Sequence, residues 1–360
     1  MVDGSAFWRD KRVFLTGHTG FKGSWLSLWL HQLGARVVGY ALPPVSVPNL
    51  FEHARIAELV RDQVGDIRDY PRLLEVVREA RPEVVIHMAA QALVRPSYDD
   101  PIGTYATNVM GTVHLLEAVR HVGGVRVVII VTSDKCYENN EWDWGYRETD
   151  PMGGYDPYSS SKGCCELAVS SFRRSFFPLE SFHKHGTAVA SVRAGNVIGG
   201  GDWATDRLIP DILRSIEARQ PIVVRYPKAI RPWQHVLEPL SGYLLLARNL
   251  WEHGPEFAGS WNFGPYDQSC RPVGWIVDQL IKRWGGNIDC VQKEVPGRHE
   301  ATFLKLDCSK AMGRMGWRPG LTIEQTLDMI VSWHKDDHAG MDMRKKSMEQ
   351  IAFFSSTASL

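Results

Sequence analysis

Several features that mark particular classes of protein are missing from this 360-residue chain. No apolar run approaches the roughly 18 residues that a membrane-spanning helix needs, so we expect no membrane span. Residues 1–8 lack the basic segment and apolar core of a secretory signal, which favours a cytoplasmic location. The 41 basic and 41 acidic residues cancel, and the basic residues are not clustered. We therefore expect no nucleic-acid partner.

A framework of disulfides or metal sites is also missing. The six cysteines include no C-x-x-C pair, which indicates free thiols in a reducing compartment. His183 and His185 flank Lys184 without further ligands nearby, so we expect no metal. No Gly/Ser-rich linker divides the chain, and its length suits one large domain or two intimately joined ones.

A glycine-rich loop is present near the start of the chain, between a predicted strand and a predicted helix. Residues 12–16 form the short apolar strand, and Gly17, Gly20 and Gly23 follow with the spacing G-x-x-G-x-x-G. Gly17 permits a tight turn, and Gly20 lets the backbone approach a pyrophosphate at the helix N-terminus. Gly23 lets the helix pack closely on the strand. The sequence therefore predicts a dinucleotide-binding loop.

Two details narrow the choice of nucleotide. Lys22 precedes the last glycine and does not follow it, so the loop is not a Walker A motif and phosphoryl transfer is not indicated. The second predicted strand, residues 35–40, is followed by Ala41 where an acidic residue usually holds the adenosine ribose. No Arg or Lys follows at once to hold a 2′-phosphate. NAD rather than NADP is thus inferred from an absence.

Strands and helices alternate through the first part of the chain. Predicted strands cover residues 59–64, 83–88 and 125–131, and predicted helices cover residues 72–80 and 108–119. This alternation predicts an α/β fold of the Rossmann type, with a doubly wound parallel sheet. Shorter strands and helices later in the chain predict a smaller mixed α/β substrate-binding lobe.

The domain organisation follows from that change of pattern. We expect an NAD-binding domain over residues 1–195, which also receives part of 232–265. The lobe lies mainly in 196–345, and a polar, frayed tail covers 346–360.

The stretch with the most chemical content follows the apolar run 125–131. Ser133, Asp134 and Lys135 come directly after it, where active sites of open α/β sheets lie. Tyr158 and Lys162 are spaced so that they share one face of a helix. An ammonium beside a phenol lowers the pKa of the phenol, which can then take a proton from a sugar hydroxyl near neutral pH. A Tyr-x-x-x-Lys pair also occurs by chance. The interpretation as a catalytic pair is supported by the strand and the glycine loop that precede it.

A loop rich in aromatic and turn-forming residues separates these two parts. It covers residues 138–154 and carries Trp142, Trp144 and Tyr146. Two interpretations stay open: a packed surface loop, or a lid over the mouth of the crevice.

Together these motifs resemble the extended short-chain dehydrogenase/reductase family over essentially the whole chain. The residues that carry the resemblance are Gly17, Gly20, Gly23, Asp66, Ile67, His87, Ala89, Ala90, Asn108, Ser133, Tyr158 and Lys162. The resemblance implies NAD as the cofactor, bound by Gly17, Thr19, Gly20, Phe21, Gly23, Asp66, Ile67, Ala89, Ala90, Asn108, Tyr158 and Lys162. It also implies a homodimer or homotetramer, with two helices per subunit in a bundle.

Within that family, the triplet Ser-Asp-Lys at 133–135 resembles the sugar-nucleotide 4,6-dehydratases, most of which have Thr-Asp-Glu. Segments 16–25, 139–147 and 195–203 are similar to those acting on CDP-D-glucose. The resemblance implies that Tyr158 and Ser133 act at the sugar 4-hydroxyl and that Asp134 protonates the departing 6-hydroxyl. It also implies that Lys135, or a partner near it, takes the C5 proton. It implies that Lys162 holds the nicotinamide ribose. The implied substrate-binding residues are Asn196, Arg207, Arg231 and Arg298.

Rival interpretations remain at this point. A nucleotide-sugar 4-epimerase would use Ser133, Tyr158 and Lys162 without needing Asp134 and Lys135. A 4,6-dehydratase for another nucleotide-glucose and a non-catalytic dinucleotide sensor are the others. A lysine acts as a base only when neutral, so Lys135 is either the C5 base or an exposed lysine beside Asp134.

Overall fold

The computed structural model describes residues 4–285, 288–292 and 304–357. Its strands are β1 (Arg12–Thr16), β2 (Arg36–Ala41), β3 (Arg61–Val64), β4 (Val84–His87), β5 (Val127–Val131), β6 (Ala188–Arg193), β7 (Val197–Ile198), β8 (Ile222–Val224), β9 (Ile230–Pro232), β10 (Gln234–His235), β11 (Gly259–Asn262), β12 (Cys270–Pro272) and β13 (Cys290–Gln292).

Its helices are α1 (Gly4–Trp8), α2 (Phe21–Gln32), α3 (Leu50–His53), α4 (Tyr70–Ala80), α5 (Val94–Asp99), α6 (Pro101–Tyr105), α7 (Gly111–Val122), α8 (Pro157–Ser175), α9 (Phe182–His185), α10 (Leu208–Glu217), α11 (Leu237–His253), α12 (Val273–Trp284), α13 (Ser309–Met315), α14 (Ile323–His338) and α15 (Met343–Thr357). Among the described residues, no helix is long and apolar enough to cross a membrane.

Seven parallel strands form the central sheet in the order β11-β6-β5-β4-β1-β2-β3. The strands β4, β5 and β6 are buried throughout, because helices cover both faces of the sheet. Alternate residues of β5 face opposite layers: Val127, Ile129 and Val131 pack in the cluster with α2 and α11, and Val128 and Ile130 pack with α4 and α7. The predicted doubly wound Rossmann sheet is confirmed.

The chain beyond residue 195 returns once to this sheet and otherwise builds short ribbons. β11 pairs in parallel with β6 and forms the edge of the sheet. The remaining strands pair two by two: β7 with β10, β8 with β13, and β9 with β12. A separate apolar cluster holds α10, α12 and α14 together. This is the smaller mixed α/β lobe that the sequence predicts.

The predicted frayed tail is wrong for residues 346–357. These residues lie in α15, and Phe354 packs edge-on against Trp29 of α2 with ring centroids 5.7 Å apart. Ser347 accepts a hydrogen bond from the Trp333 indole at 2.9 Å. The buried stripe of α15 includes the polar residues Ser347 and Gln350, so hydropathy alone does not reveal it.

Candidate active site

The glycine loop lies between β1 and α2, where the backbone approaches two neighbours too closely for a side chain. Gly17 has a φ of +76°, and a Cβ there would lie 2.7 Å from the backbone nitrogen of Ala89. A Cβ on Gly23 would lie 2.1 Å from the carbonyl oxygen of Gly17. Gly20 is the N-cap of α2 and offers no side-chain cap, so the first amides of the helix have no side-chain acceptor there. This cradle fits the diphosphate of a dinucleotide.

Three other predicted cofactor residues lie in or after the loops that follow strands β1 and β3. The Thr19 hydroxyl donates to the Leu42 carbonyl at 2.8 Å. Asp66 lies at the start of the turn after β3, where a hydrogen bond from Arg68 lowers the pKa of its carboxyl. Ile67 is buried against Gly111.

Asn108 is fully buried and joins two elements. Its amide donates to the Gln91 carbonyl at 3.0 Å and to the Ser161 hydroxyl at 2.8 Å. Its oxygen accepts from the Gln91 backbone at 2.8 Å. Asn108 therefore ties the segment after β4, which includes Ala89 and Ala90, to the helix that carries Tyr158.

An acidic residue of the strand beside β2 contacts a histidine of the glycine loop. The ring of His18 lies against Gly39, and its Nε2 is 2.8 Å from Oδ1 of Asp62 on β3. Burial lowers the pKa of His18, while Asp62 opposes that shift. The register pairs Gly39 with Asp62 across β2 and β3. Sequence reasoning missed this pair, because strand register is not visible in a single segment.

The predicted catalytic triplet forms a tight turn at the carboxyl end of β5. Ser133 donates to Oδ1 of Asp134 at 3.0 Å and accepts from the Lys135 backbone at 3.2 Å. Asp134 is buried, and its Oδ2 has no hydrogen-bond partner among the described residues. A Cβ on Gly195 would lie 1.8 Å from that oxygen. The side chain of Lys135 is half-buried. The turn therefore presents a hydroxyl and a buried carboxyl group at one point.

Tyr158 and Lys162 lie in the first turns of α8, which Asp156 caps by accepting from the Ser159 backbone at 2.9 Å. Burial raises the pKa of Tyr158 to about 12. The groups that lower it are first Ser133, through a hydrogen bond, and then Arg207.

Lys162 does not take the leading role in tuning Tyr158 that the sequence predicts. Its Nζ lies 3.4 Å from the Val131 carbonyl, and its own pKa is lowered by burial.

A small set of charges surrounds this phenol. Arg207 pairs with Asp202 at 3.0 Å and lies close enough to Tyr158 for each to shift the pKa of the other. Lys22, from the glycine loop, belongs to the same set: burial, then Arg207 and Lys162, lower its pKa to about 8. Sequence analysis used Lys22 only to exclude a Walker A loop. The signal in the sequence that could have shown this position was the presence of a lysine inside a dinucleotide-binding loop.

The predicted substrate-binding residues are spread over the second lobe and its junction with the sheet. Asn196 has a φ of +42°, and its carbonyl accepts from the Gln234 backbone at 3.3 Å. Arg207 lies near Tyr158, as described above. Arg231 lies on β9, directly opposite Arg271 on β12. Arg298 lies outside the described residues.

The aromatic loop 138–154 is packed in place. Tyr146 stacks on Tyr137 and on Trp142, with ring centroids 5.2 and 5.3 Å apart. The Tyr146 backbone donates to the Lys305 carbonyl and accepts from the Asp307 backbone, both at 2.9 Å. These contacts favour the packed loop over the lid.

A buried ion pair that the sequence analysis missed lies behind the catalytic turn. Arg193 at the end of β6 and Glu166 on α8 are 2.7 Å apart, and both side chains are 3% exposed. Glu166 also accepts from the Thr132 hydroxyl at 2.5 Å, and Arg193 donates to the Tyr137 hydroxyl at 2.6 Å. The pair therefore holds both ends of the turn that carries Asp134 and Lys135.

The geometry described above has counterparts among known proteins. A family model described as GDP-mannose 4,6 dehydratase matches residues 14–251. A CDP-glucose 4,6-dehydratase of Salmonella typhimurium is 56% identical over 356 residues, covering 99% of each chain. The chain belongs to the 4,6-dehydratase family. Membership of this family, predicted from the sequence motifs, is thereby confirmed.

More distant members and neighbours of the family share the fold. A dTDP-glucose 4,6-dehydratase of Streptomyces antibioticus is 27% identical over 93% of this chain and 95% of its own. A solved UDP-glucose 4-epimerase of Thermotoga maritima, with UDP-glucose, has a TM-score of 0.78 at 21% identity and covers 91% of this chain and 99% of its own. A dTDP-glucose 4,6-dehydratase of Bacillus anthracis in complex with NAD has a TM-score of 0.74 at 21% identity, covering 92% and 99%.

Proposed function

We propose that this chain is an NAD-dependent CDP-D-glucose 4,6-dehydratase that forms CDP-4-keto-6-deoxy-D-glucose. The observation that carries the proposal is the buried turn at the end of β5. It places the Ser133 hydroxyl, hydrogen-bonded to Tyr158, beside an Asp134 carboxyl with one unpartnered oxygen. An epimerase needs the hydroxyl and the phenol but has no use for a second buried proton carrier at this point. The identity of 56% to a CDP-glucose 4,6-dehydratase supports the choice of nucleotide.

Oxidation at C4 uses Tyr158 and Ser133. Tyr158 takes the proton of the 4-hydroxyl, and Ser133 hydrogen-bonds the 4-oxygen as it becomes a ketone. Burial raises the pKa of Tyr158 to about 12 although Ser133 and Arg207 lower it, so formation of the phenolate depends on nearby positive charge. Arg207 is the positive charge of this chain that acts on Tyr158 in this way. When bound in the cradle of Gly17, Gly20 and Gly23, NAD would supply a hydride acceptor for C4 and a hydride donor for C6, and C5 would regain a proton as the hydride is added.

Elimination of water uses the other two residues of the turn. The 4-ketone acidifies the C5 hydrogen, and Lys135 takes that proton. Asp134 gives its proton to the departing 6-hydroxyl, which leaves as water. Replacement of Lys135 by Met should stop exchange of the C5 hydrogen with deuterated solvent, whereas replacement by Glu should restore it.

Cofactor and substrate lie in different parts of the chain in this proposal. The NAD-binding domain comprises residues 1–195 with part of 232–265, and the lobe in 196–345 mainly holds the nucleotide sugar. The cradle of Gly17, Gly20 and Gly23 binds the NAD diphosphate. Asn196, Arg207, Arg231 and Arg298 bind the substrate.

We also propose that the protein is a cytoplasmic homo-oligomer, a dimer or tetramer, in which the region from α6 to α8 forms the bundle. Its outer surface carries exposed apolar side chains: Ile102 is 82% exposed and Leu167 is 62% exposed. Tyr105, Met110 and Phe176 add to this surface. Replacing Ile102 and Leu167 with glutamate should reduce the molar mass measured by light scattering to that of one chain.

The test of the reaction is incubation with CDP-D-glucose and NAD, followed by NMR of the sugar. A 6-methyl signal with a 4-keto carbon, and no net NADH, is expected. CDP-galactose without a methyl signal would show an epimerase. Turnover of UDP-, dTDP- or GDP-glucose without turnover of CDP-D-glucose would refute cytosine as the nucleobase of the substrate. No turnover of any nucleotide sugar would favour the non-catalytic dinucleotide sensor.

A further inference from the structure

Two arginines of the second lobe face the same way on a two-stranded ribbon. β9 and β12 are antiparallel, and the register places Arg271 directly opposite Arg231. Directly opposite residues of an antiparallel pair project from one face, with Cβ atoms about 4.5–5.5 Å apart. Like charges in that position destabilise a ribbon unless an anion is bound between or above them. The sequence analysis singled out Arg231 and did not consider Arg271.

Arg271 differs from its neighbours in having no acidic partner among the described residues. Other arginines of the lobe are paired: Arg207 with Asp202 at 3.0 Å, and Arg283 with Asp328 at 2.7 Å. The neighbour of the Arg271 guanidinium that the described residues show is the ring of Trp275, whose centroid is 5.2 Å from the guanidinium carbon. Its Nε is buried and has no hydrogen-bond partner within the described part of the chain. A guanidinium with a buried, unused donor is suited to an anionic ligand.

The local structure fixes the direction of this side chain. The Trp233 indole donates to the Arg271 carbonyl at 2.9 Å, which joins the end of β9 to β12. The stacked Trp275 lies in the first turn of α12 and covers one side of the guanidinium. A side chain held between a fixed backbone and a ring loses little entropy when it binds.

We propose that Arg271 is a further substrate-binding cation, which forms with Arg231 a two-arginine clamp for the diphosphate of the nucleotide sugar. This inference rests on the proposed function. A diphosphate spreads two negative charges over neighbouring phosphoryl groups, and planar guanidinium groups bind such oxygens in pairs.

The test uses the complete protein with saturating NAD, so that added nucleotides do not occupy the cofactor site. Inhibition of CDP-D-glucose turnover by CDP and by cytidine is measured for wild type, Arg271→Gln and Arg271→Lys. The Gln variant should bind CDP about 10- to 100-fold more weakly, because one charged hydrogen-bonding partner is lost. Cytidine, which lacks the diphosphate, should inhibit all three alike. The Lys variant should recover part of the affinity for CDP.

Arg248→Gln is the matched control, since Arg248 lies on α11 and pairs with Glu252 at the surface. It should inhibit like wild type. Unchanged CDP affinity in Arg271→Gln would overturn the clamp and leave the proposed function intact. Equal losses for CDP and cytidine would also overturn it, since they would assign Arg271 to packing against Trp275. Wild-type protein that turns over no nucleotide-glucose would refute the proposed function itself.

Discussion

The carboxyl edge of the central sheet and the β9–β12 ribbon of the second lobe are built in opposite ways. At the sheet edge, Asp134 is buried, and the Glu166–Arg193 pair behind it is 3% exposed on both sides. On the ribbon, Arg231 and Arg271 are half-buried and project side by side from three-residue strands. Proton transfers need fixed distances and a low dielectric, which only the packed sheet provides. Recognition of a flexible diphosphate needs charge at a surface that substrate can reach.

This contrast predicts that small changes at the sheet edge have large effects. The largest is expected for Tyr158→Phe, which removes the proton acceptor and keeps the ring. Turnover should fall by about 10²- to 10⁴-fold, because general base catalysis contributes that much. NAD binding, measured by fluorescence titration, should be retained. Tyr70→Phe, at a surface contact with His121, is the control and should leave turnover unchanged. Normal turnover by Tyr158→Phe would refute the mechanism.

The next largest effect is expected for the buried ion pair between Glu166 and Arg193, which lies behind the carboxyl edge of the sheet. Glu166→Gln leaves the buried Arg193 charge without its counter-charge, which should lower the free energy of unfolding by about 3–5 kcal/mol. Urea denaturation measures it. Glu117→Gln breaks a pair with Arg120 that lies on the surface, and it should cost less than about 1 kcal/mol. A similar decrease in the free energy of unfolding for the two variants would show that the buried pair contributes no more to stability than the surface pair.

Gly195→Ala tests the space around the catalytic carboxyl. The new Cβ would lie 1.8 Å from Oδ2 of Asp134, so the carboxyl must move. Displacement by about 1 Å is expected to reduce kcat about 10²-fold, with NAD binding retained. Gly313→Ala is the control, because nothing lies within 4 Å of a Cβ there. Full activity of Gly195→Ala would show that the position of Asp134 is not critical.

A dependence of stability on pH is expected from a buried carboxyl group outside both regions. Glu238 on α11 accepts from the backbones of Gly320 and Leu321, and burial raises its pKa from 4.5 to about 7. The folded protein therefore binds this proton more tightly than the unfolded chain. The contribution to stability is complete below about pH 4.5 and is lost as the pH rises through about 7.

One proton gives a slope of at most about 1.4 kcal/mol per pH unit. Urea denaturation at about pH 5 and about pH 8 measures it, and Glu238→Gln should show a smaller decline than wild type. An identical decline in both proteins would assign the pH dependence to other groups.

The sequence was most informative where chemistry follows a local pattern. Strands β4 and β5 were visible as apolar runs, and the glycine loop was visible from its spacing. The position of Ser133, Asp134 and Lys135 followed from the rule that active sites lie at the carboxyl ends of parallel strands. Tyr158 and Lys162 followed from helical spacing.

The errors and omissions share a different origin. The frayed tail was wrong because α15 is held by Trp29 and Trp333, which are distant in sequence. The partners of the His18–Asp62 contact and of the Glu166–Arg193 pair are also distant from each other in the sequence.

By itself the sequence determined the Rossmann-type sheet, the glycine loop and the position of the candidate proton-transfer residues at the end of β5 and in α8, because each depends on neighbours within a few turns or one strand. Only the tertiary structure decided which cation acts on Tyr158, what lies against Asp134, and that Arg231 has Arg271 beside it. Those relations depend on strand register and on burial, which lowers the dielectric and brings distant charges together. For this protein, local spacing specifies the reacting groups, and long-range packing sets their pKa values and their partners.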